Sequence, residues 1–176
     1  MKLDTVLDRC RAIATFREVS VKLMEMLALW TPTTPEMEVK VLFGRHIWDL
    51  AQQADILGKR TFELRAPAQH SLAPVTEYEE ILATARESRA TSDRVAIFYE
   101  ALLPSLAARF QQYLDASDPI LDQPTVVILE RFVREMNRMG AEAASMQKSI
   151  SLAGANVGEW VARDRAIPSL VRSATA

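Results

Sequence analysis

Five polar side chains fall on or beside apolar stripes of helical segments, where they would reach the protein interior. In residues 35–65, His46 lies at the centre of the stripe, Gln53 lies within about 20° of it, and Asp49 lies about 60° away. In later segments, Glu100 falls in the middle of a stripe and Glu130 lies beside one. Imidazole, carboxylate and amide groups transfer protons or hold a ligand, so these five are the candidate ligand-binding residues.

Two interpretations of this set remain open. A buried carboxylate without a partner is costly, so Glu100 predicts an interior polar pocket that it shares with His46, Gln53 and Glu130. In the other interpretation, these groups hydrogen-bond one another, or a kink at Pro104 turns Glu100 to solvent. If the pocket is catalytic, His46 would be the general base and Glu100 the acid or the orienting group.

Four long helical segments carry these residues: 3–30, 35–65, 76–115 and 124–147. Apolar residues recur in them at helical spacing, and prolines mark the connections. Only five glycines are present, and no segment has the alternation of a strand. The pattern predicts an all-α helical bundle over residues 1–150 and a short C-terminal helix or tail over 151–176 that packs on it.

Composition narrows the functional class. The 176 residues are 49% hydrophobic and 25% charged, which excludes intrinsic disorder, and the net charge of −2 gives no basis for binding nucleic acid or an anionic membrane. The N-terminus lacks a signal-peptide pattern, and no apolar run is long enough to cross a membrane. We therefore expect a cytoplasmic protein. Its single cysteine, Cys10, excludes an intrachain disulfide and fits a small buried apolar role.

The second segment is apolar on a further face, opposite His46. This face contains Val41, Gly44, Trp48, Ala51 and Phe62. A helix that is apolar on two faces is covered on both. Either the C-terminal tail covers this face, or a second copy of the chain does, which predicts a homodimer.

Two stretches resemble the ferritin-like superfamily and, within it, a group of uncharacterised proteins similar to di-iron oxidases. The first comprises Pro35–Glu36, Lys40, Arg45–Trp48, Ala51, Ala54–Asp55, Arg60 and Glu63–Arg65, and the second Asp122–Thr125 and Leu129–Glu130. The resemblance implies a four-helix bundle. In active members, two helices each supply a Glu and the other two each supply a Glu-x-x-His pair, which together bind two irons.

The chain departs from that pattern at both expected histidines. Leu50–Gln53 and Glu135–Arg138 stand where Glu-x-x-His pairs would fit, and no Glu-x-x-His occurs anywhere in the sequence. Gln53 is a neutral, weak donor to a metal, and the permanent positive charge of Arg138 would repel iron. We therefore expect neither a standard di-iron site nor another cofactor.

Three functions follow as hypotheses. In the first, the chain is a ferritin-like protein that has lost its iron centre and acts through an interior polar pocket, by small-molecule binding or metal-independent catalysis, for example within a biosynthetic pathway. In the second, it is a non-haem iron oxidase or oxygenase with an altered ligand set. In the third, it is an oligomeric structural or interaction subunit.

Overall fold

The computed structural model describes residues 3–150 and 156–172, and this part of the chain is all-helical, as predicted. The elements are α1 (Val6–Trp30), a 3₁₀ turn (Thr31–Thr33), α2 (Met37–Glu63), α3 (Thr76–Arg86), α4 (Thr91–Ala96), a π-helical segment (Ile97–Leu102), α5 (Leu103–Ala116), α6 (Gln123–Ser149) and α7 (Gly158–Arg165). No helix within these ranges combines the length and apolar character that crossing a membrane requires.

The core forms where α1 lies along α2 and α5 lies along α6. One aromatic cluster joins α1 to the later helices, since the ring of Phe16 contacts the rings of Phe110 and Tyr113, and Phe110 contacts Phe132. Aromatic pairs in edge-to-face contact stabilise beyond the area that they bury. These contacts fix the distance between the two helix pairs, and α2 then faces α6 along a seam of polar side chains.

A buried polar network around Asp122 ties α2, α5 and α6 together. Its fully buried carboxylate accepts hydrogen bonds from Arg60 Nη2 at 2.9 Å, Tyr113 Oη at 2.6 Å and Thr125 Oγ1 at 2.7 Å. Arg60 Nε also donates to Thr125 Oγ1 at 2.8 Å. Each carboxylate oxygen accepts at least one hydrogen bond, and these bonds offset the free-energy cost of burying the charge of Asp122.

The helix from residue 91 to residue 116 is continuous, and its turns widen in the π-helical segment just before Pro104. A proline cannot donate to the carbonyl four residues earlier, and its ring clashes with that carbonyl, which here belongs to Glu100. The wider π turn relieves this conflict and changes the direction of the side chains within it. The predicted disturbance at Pro104 is therefore present as a local widening.

The described part of the C-terminal tail packs against α3 and α5. Asp164 of α7 accepts hydrogen bonds from Ser105 Oγ at 2.7 Å and from Arg109 Nη1 at 2.9 Å, and the carbonyl of Leu170 accepts one from the Val75 amide at 2.9 Å. Residues 151–155, where we place the start of the tail, lie outside the described residues. The division of the chain at residue 150 stays a prediction.

The outer face of α2 is exposed, and the described tail does not cover it. Trp48 keeps 65% of its surface exposed and Phe62 keeps 67%, and a Cβ added at Gly44 would meet nothing within 4 Å. The described part of the tail lies elsewhere, where the ion pair between Arg109 and Asp164 joins it to α5. Of the two alternatives for this face, coverage by the tail is therefore wrong for the described residues.

Candidate functional site

Polar side chains at positions i, i+3 and i+7 of α2 and of α6 meet in three cross-helix pairs. From one end to the other, the pairs are His46 with Glu142, Asp49 with Arg138, and Gln53 with Glu135. From one pair to the next, the residue number increases along α2 and decreases along α6, so the two helices run antiparallel. Successive pairs lie about 5 Å apart along the helix axis. We call these three pairs the α2–α6 ladder.

His46 occupies the first pair and is fully buried. Its Nδ1 lies 2.7 Å from Tyr99 Oη, and its Nε2 lies 3.2 Å from Glu142 Oε2. Burial, with the negative charges of Glu142 and Asp49, raises the pKa of Tyr99 well above its ordinary value, so its hydroxyl stays protonated and donates. His46 Nδ1 must then accept, and Nε2 carries the proton that is donated to Glu142.

Glu142 is held in its charged form. Its Oε2 accepts from Arg45 Nη1 at 2.9 Å as well as from His46, and its Oε1 accepts from Arg138 Nη1 at 2.6 Å. Burial acts to raise the pKa of Glu142, but the hydrogen bonds from Arg138, Arg45 and His46 outweigh it and lower the pKa to about 2. Burial also lowers the pKa of His46, although hydrogen bonding and charge from Glu142 oppose that shift. Near neutral pH, a neutral imidazole therefore faces a carboxylate.

The other two pairs complete the ladder. Arg138 Nη2 donates to Asp49 Oδ2 at 2.7 Å, so one guanidinium bridges Asp49 and Glu142. Gln53 Nε2 donates to Glu135 Oε2 at 3.0 Å. Gln53 Oε1 is buried, and no hydrogen-bond donor reaches it from the described part of the chain.

Glu100 and Glu130 do not join this group, which corrects their predicted positions. Glu100 is exposed and accepts a hydrogen bond from Gln147 Nε2 at 3.2 Å, because the π-helical turn breaks the regular spacing that placed it in the stripe. Glu130 is exposed and lines a separate surface groove with Gln111 and Arg134. The predicted convergence of four polar groups on one pocket is therefore wrong. His46 and Gln53 do face the interior, and Asp49 lies at its edge.

Tyr99 and Glu142 belong to the site but are not among the residues predicted from the sequence. For Glu142 a signal exists in the sequence, because Glu135, Arg138 and Glu142 repeat the spacing of His46, Asp49 and Gln53. When two neighbouring antiparallel helices each have three polar residues at this spacing, all three residues of one helix can pair with those of the other. No comparable signal exists for Tyr99, whose direction depends on the π-helical segment.

A groove of about 570 Å³ opens beside the first pair of the ladder, between the start of α2 and the end of α6. Its lining includes apolar side chains, namely Met37, Val41, Leu42 and Met146. Polar groups also line it, namely Glu38, Arg45, Glu142, Ser145 and Ser149. Arg45 and Glu142 thus belong both to this groove, which we call the α2–α6 groove, and to the hydrogen-bond network of His46.

The ladder does not fit the pair of irons that the resemblance implies. Guanidinium groups already occupy the carboxylates of Asp49 and Glu142, and Arg131 Nε contacts Glu135 Oε1 at 2.6 Å. No group of three or more His, Cys, Asp or Glu residues in the described ranges is arranged to hold a metal ion. The fixed charge of Arg138 lies where a metal cation would have to bridge two carboxylates.

No protein-family model, no curated protein and no solved structure matches this chain.

Proposed function

We propose that the chain is a ferritin-like four-helix bundle in which arginine side chains neutralise the partly exposed carboxylates between α2 and α6 in place of metal ions. We further propose that it binds a small, partly apolar molecule in the α2–α6 groove. The order of the long helices supports the first part: α1, α2, the continuous helix over residues 91–116, and α6. The bridge from Arg138 to Asp49 and Glu142 is the observation on which the proposal rests.

The composition and position of the groove support binding. Ligand sites combine apolar walls with a few polar groups that orient the ligand. Here the thioether side chains of Met37 and Met146, which adapt to irregular shapes, stand beside the ion pair between Arg45 and Glu142. The volume of about 570 Å³ falls within the range of small-molecule sites.

The proposal gives His46 a positioning role. Both ring nitrogens form hydrogen bonds within the protein, to Tyr99 and Glu142, so the imidazole holds Glu142 at the edge of the groove. Acting as a general base would require one of these bonds to break. Metal-independent catalysis therefore stays a prediction from the sequence, and the function that we propose is ligand binding in the groove.

Methyl NMR with 1-octanol as the probe tests groove binding. In protein labelled with ¹³C at the methionine methyl groups, octanol should shift the signals of Met37 and Met146, which line the groove. The signals of Met136 and Met139 should stay in place, because both side chains are buried in the core.

Two substitutions on α6 make the test specific. Ser145→Trp fills the groove and should abolish the shifts, whereas Ala144→Trp adds the same indole at an exposed neighbouring position outside the groove and should preserve them. Octanol that leaves Met37 and Met146 unshifted in the unmodified chain, or that shifts them equally in the Ser145→Trp variant, would contradict the proposal.

The homodimer remains part of the proposal as an expectation. Trp48 and Phe62, which lie outside the α2–α6 groove, are exposed apolar side chains on the outer face of α2, on which a second copy would pack. Sedimentation of the chain as a monomer at all accessible concentrations would reject this part alone.

A further inference from the structure

In the ion pair at the edge of the α2–α6 groove, most of the hydrogen-bonding capacity that is left belongs to Arg45. Glu142 accepts from three donors, on Arg45, His46 and Arg138, and both of its oxygens are engaged. The described contacts of Arg45 use Nη1 alone, while a guanidinium carries five N–H groups. The side chain of Arg45 is 56% exposed, so its other N–H groups are accessible to a ligand.

We propose that the α2–α6 groove selects an amphipathic molecule with a carboxylate head group. The head group accepts hydrogen bonds from Arg45, and the apolar chain lies along Met37, Val41 and Met146. This inference rests on the proposed function, because it names the chemical class that the same groove binds.

Hydrogen-bond complementarity favours a carboxylate over an amine at this position. Both oxygens of Glu142 already accept hydrogen bonds, from Arg45, His46 and Arg138, so a cationic head group finds fewer free acceptor sites there than a carboxylate finds donors on Arg45. The other acidic side chain of the groove, Glu38, lies seven residues before Arg45 on α2, about 10 Å away along the axis. A cationic head group would have to bind there, at the far end of the groove.

Calorimetric titration with three probes of equal chain length tests the selection: octanoate, 1-octanol and octylamine. Octanoate should bind about tenfold more tightly than octanol, since a charged acceptor replaces a neutral hydroxyl at a partly exposed arginine. Arg45→Gln should remove this preference, so that octanoate binds no more tightly than octanol. Octanol-induced shifts of the Met37 and Met146 methyl signals in this variant show that it keeps its groove.

Arg131→Gln is the matched control. Arg131 has the same exposed fraction as Arg45, 56%, and also pairs with one glutamate, but it lies outside the groove. This variant should keep the tenfold preference. Equal affinities for octanoate and octanol, or tighter binding of octylamine, would overturn the carboxylate selection and leave groove binding intact. Failure of all three probes to bind would overturn the proposed function as well.

Discussion

Replacement of Asp122 by alanine is expected to lower the free energy of unfolding by about 3–5 kcal/mol, the usual result when one partner of a buried ion pair is removed. The carboxylate is fully buried and accepts hydrogen bonds from Arg60, Tyr113 and Thr125. Its loss leaves the guanidinium of Arg60, a side chain that is only 9% exposed, without that partner. Urea denaturation followed by circular dichroism measures the change.

Asp115→Ala provides the control for this experiment. Asp115 is exposed and accepts one hydrogen bond, from Gln111 Nε2 at 2.9 Å on the same helix. We expect its loss to change the free energy of unfolding by less than about 0.5 kcal/mol. If Asp122→Ala costs no more than this control, then the Asp122 network does not hold α2, α5 and α6 together as described.

Replacement of Glu142 by glutamine should lower the free energy of unfolding by about 1–2 kcal/mol near neutral pH, because it removes the charge that three donors share and two of those donors are partly exposed arginines. The loss should also depend on pH. The pKa of Glu142 in the folded protein is about 2, compared with 4.5 as its ordinary value. A lowered folded-state pKa gives a stabilisation that is complete above the unfolded pKa and disappears as pH falls through the folded value.

The difference in stability between the unmodified chain and Glu142→Gln should therefore be constant above about pH 5.5 and shrink steadily between about pH 4.5 and pH 2. Glu77→Gln, which removes a carboxylate from an exposed position in the first turn of α3, is the control and should follow the unmodified chain much more closely. A difference that stays the same down to pH 2 would show that the charge of Glu142 does not stabilise the ladder.

The sequence was sufficient to predict three of the four long segments, because local patterns determine them. The predicted segment 76–115 is instead interrupted between α3 and α4. The predicted segments 3–30, 35–65 and 124–147 differ from the observed α1, α2 and α6 by no more than three residues at any end. A proline near the start of a helix and an uninterrupted apolar stripe are local signals. They predict a helix whatever the rest of the fold is, as they do for α2 and α6. The inward position of His46 and Gln53 followed from the same periodicity.

The composition of the site was less predictable because it depends on contacts between helices. Regular spacing placed Glu100 inside, but a π-helical turn next to Pro104 turns Glu100 outward and brings Tyr99 to His46 instead. From the sequence alone, Arg138 is expected only to repel iron. In the structure the same charge lies between Asp49 and Glu142 and forms hydrogen bonds with both carboxylates. Such partners become visible only when the register of α2 against α6 is known.

Metal analysis tests most directly whether arginine charge has replaced metal ions in the α2–α6 ladder. The chain would be incubated anaerobically with Fe²⁺, and separately with Mn²⁺ or Zn²⁺, desalted, and measured by elemental mass spectrometry. Because Arg138 and Arg45 occupy the carboxylates that a metal would need, we predict less than about 0.1 retained ion per chain for each metal. Retention of about two ions per chain, as in a di-iron protein, would contradict the account.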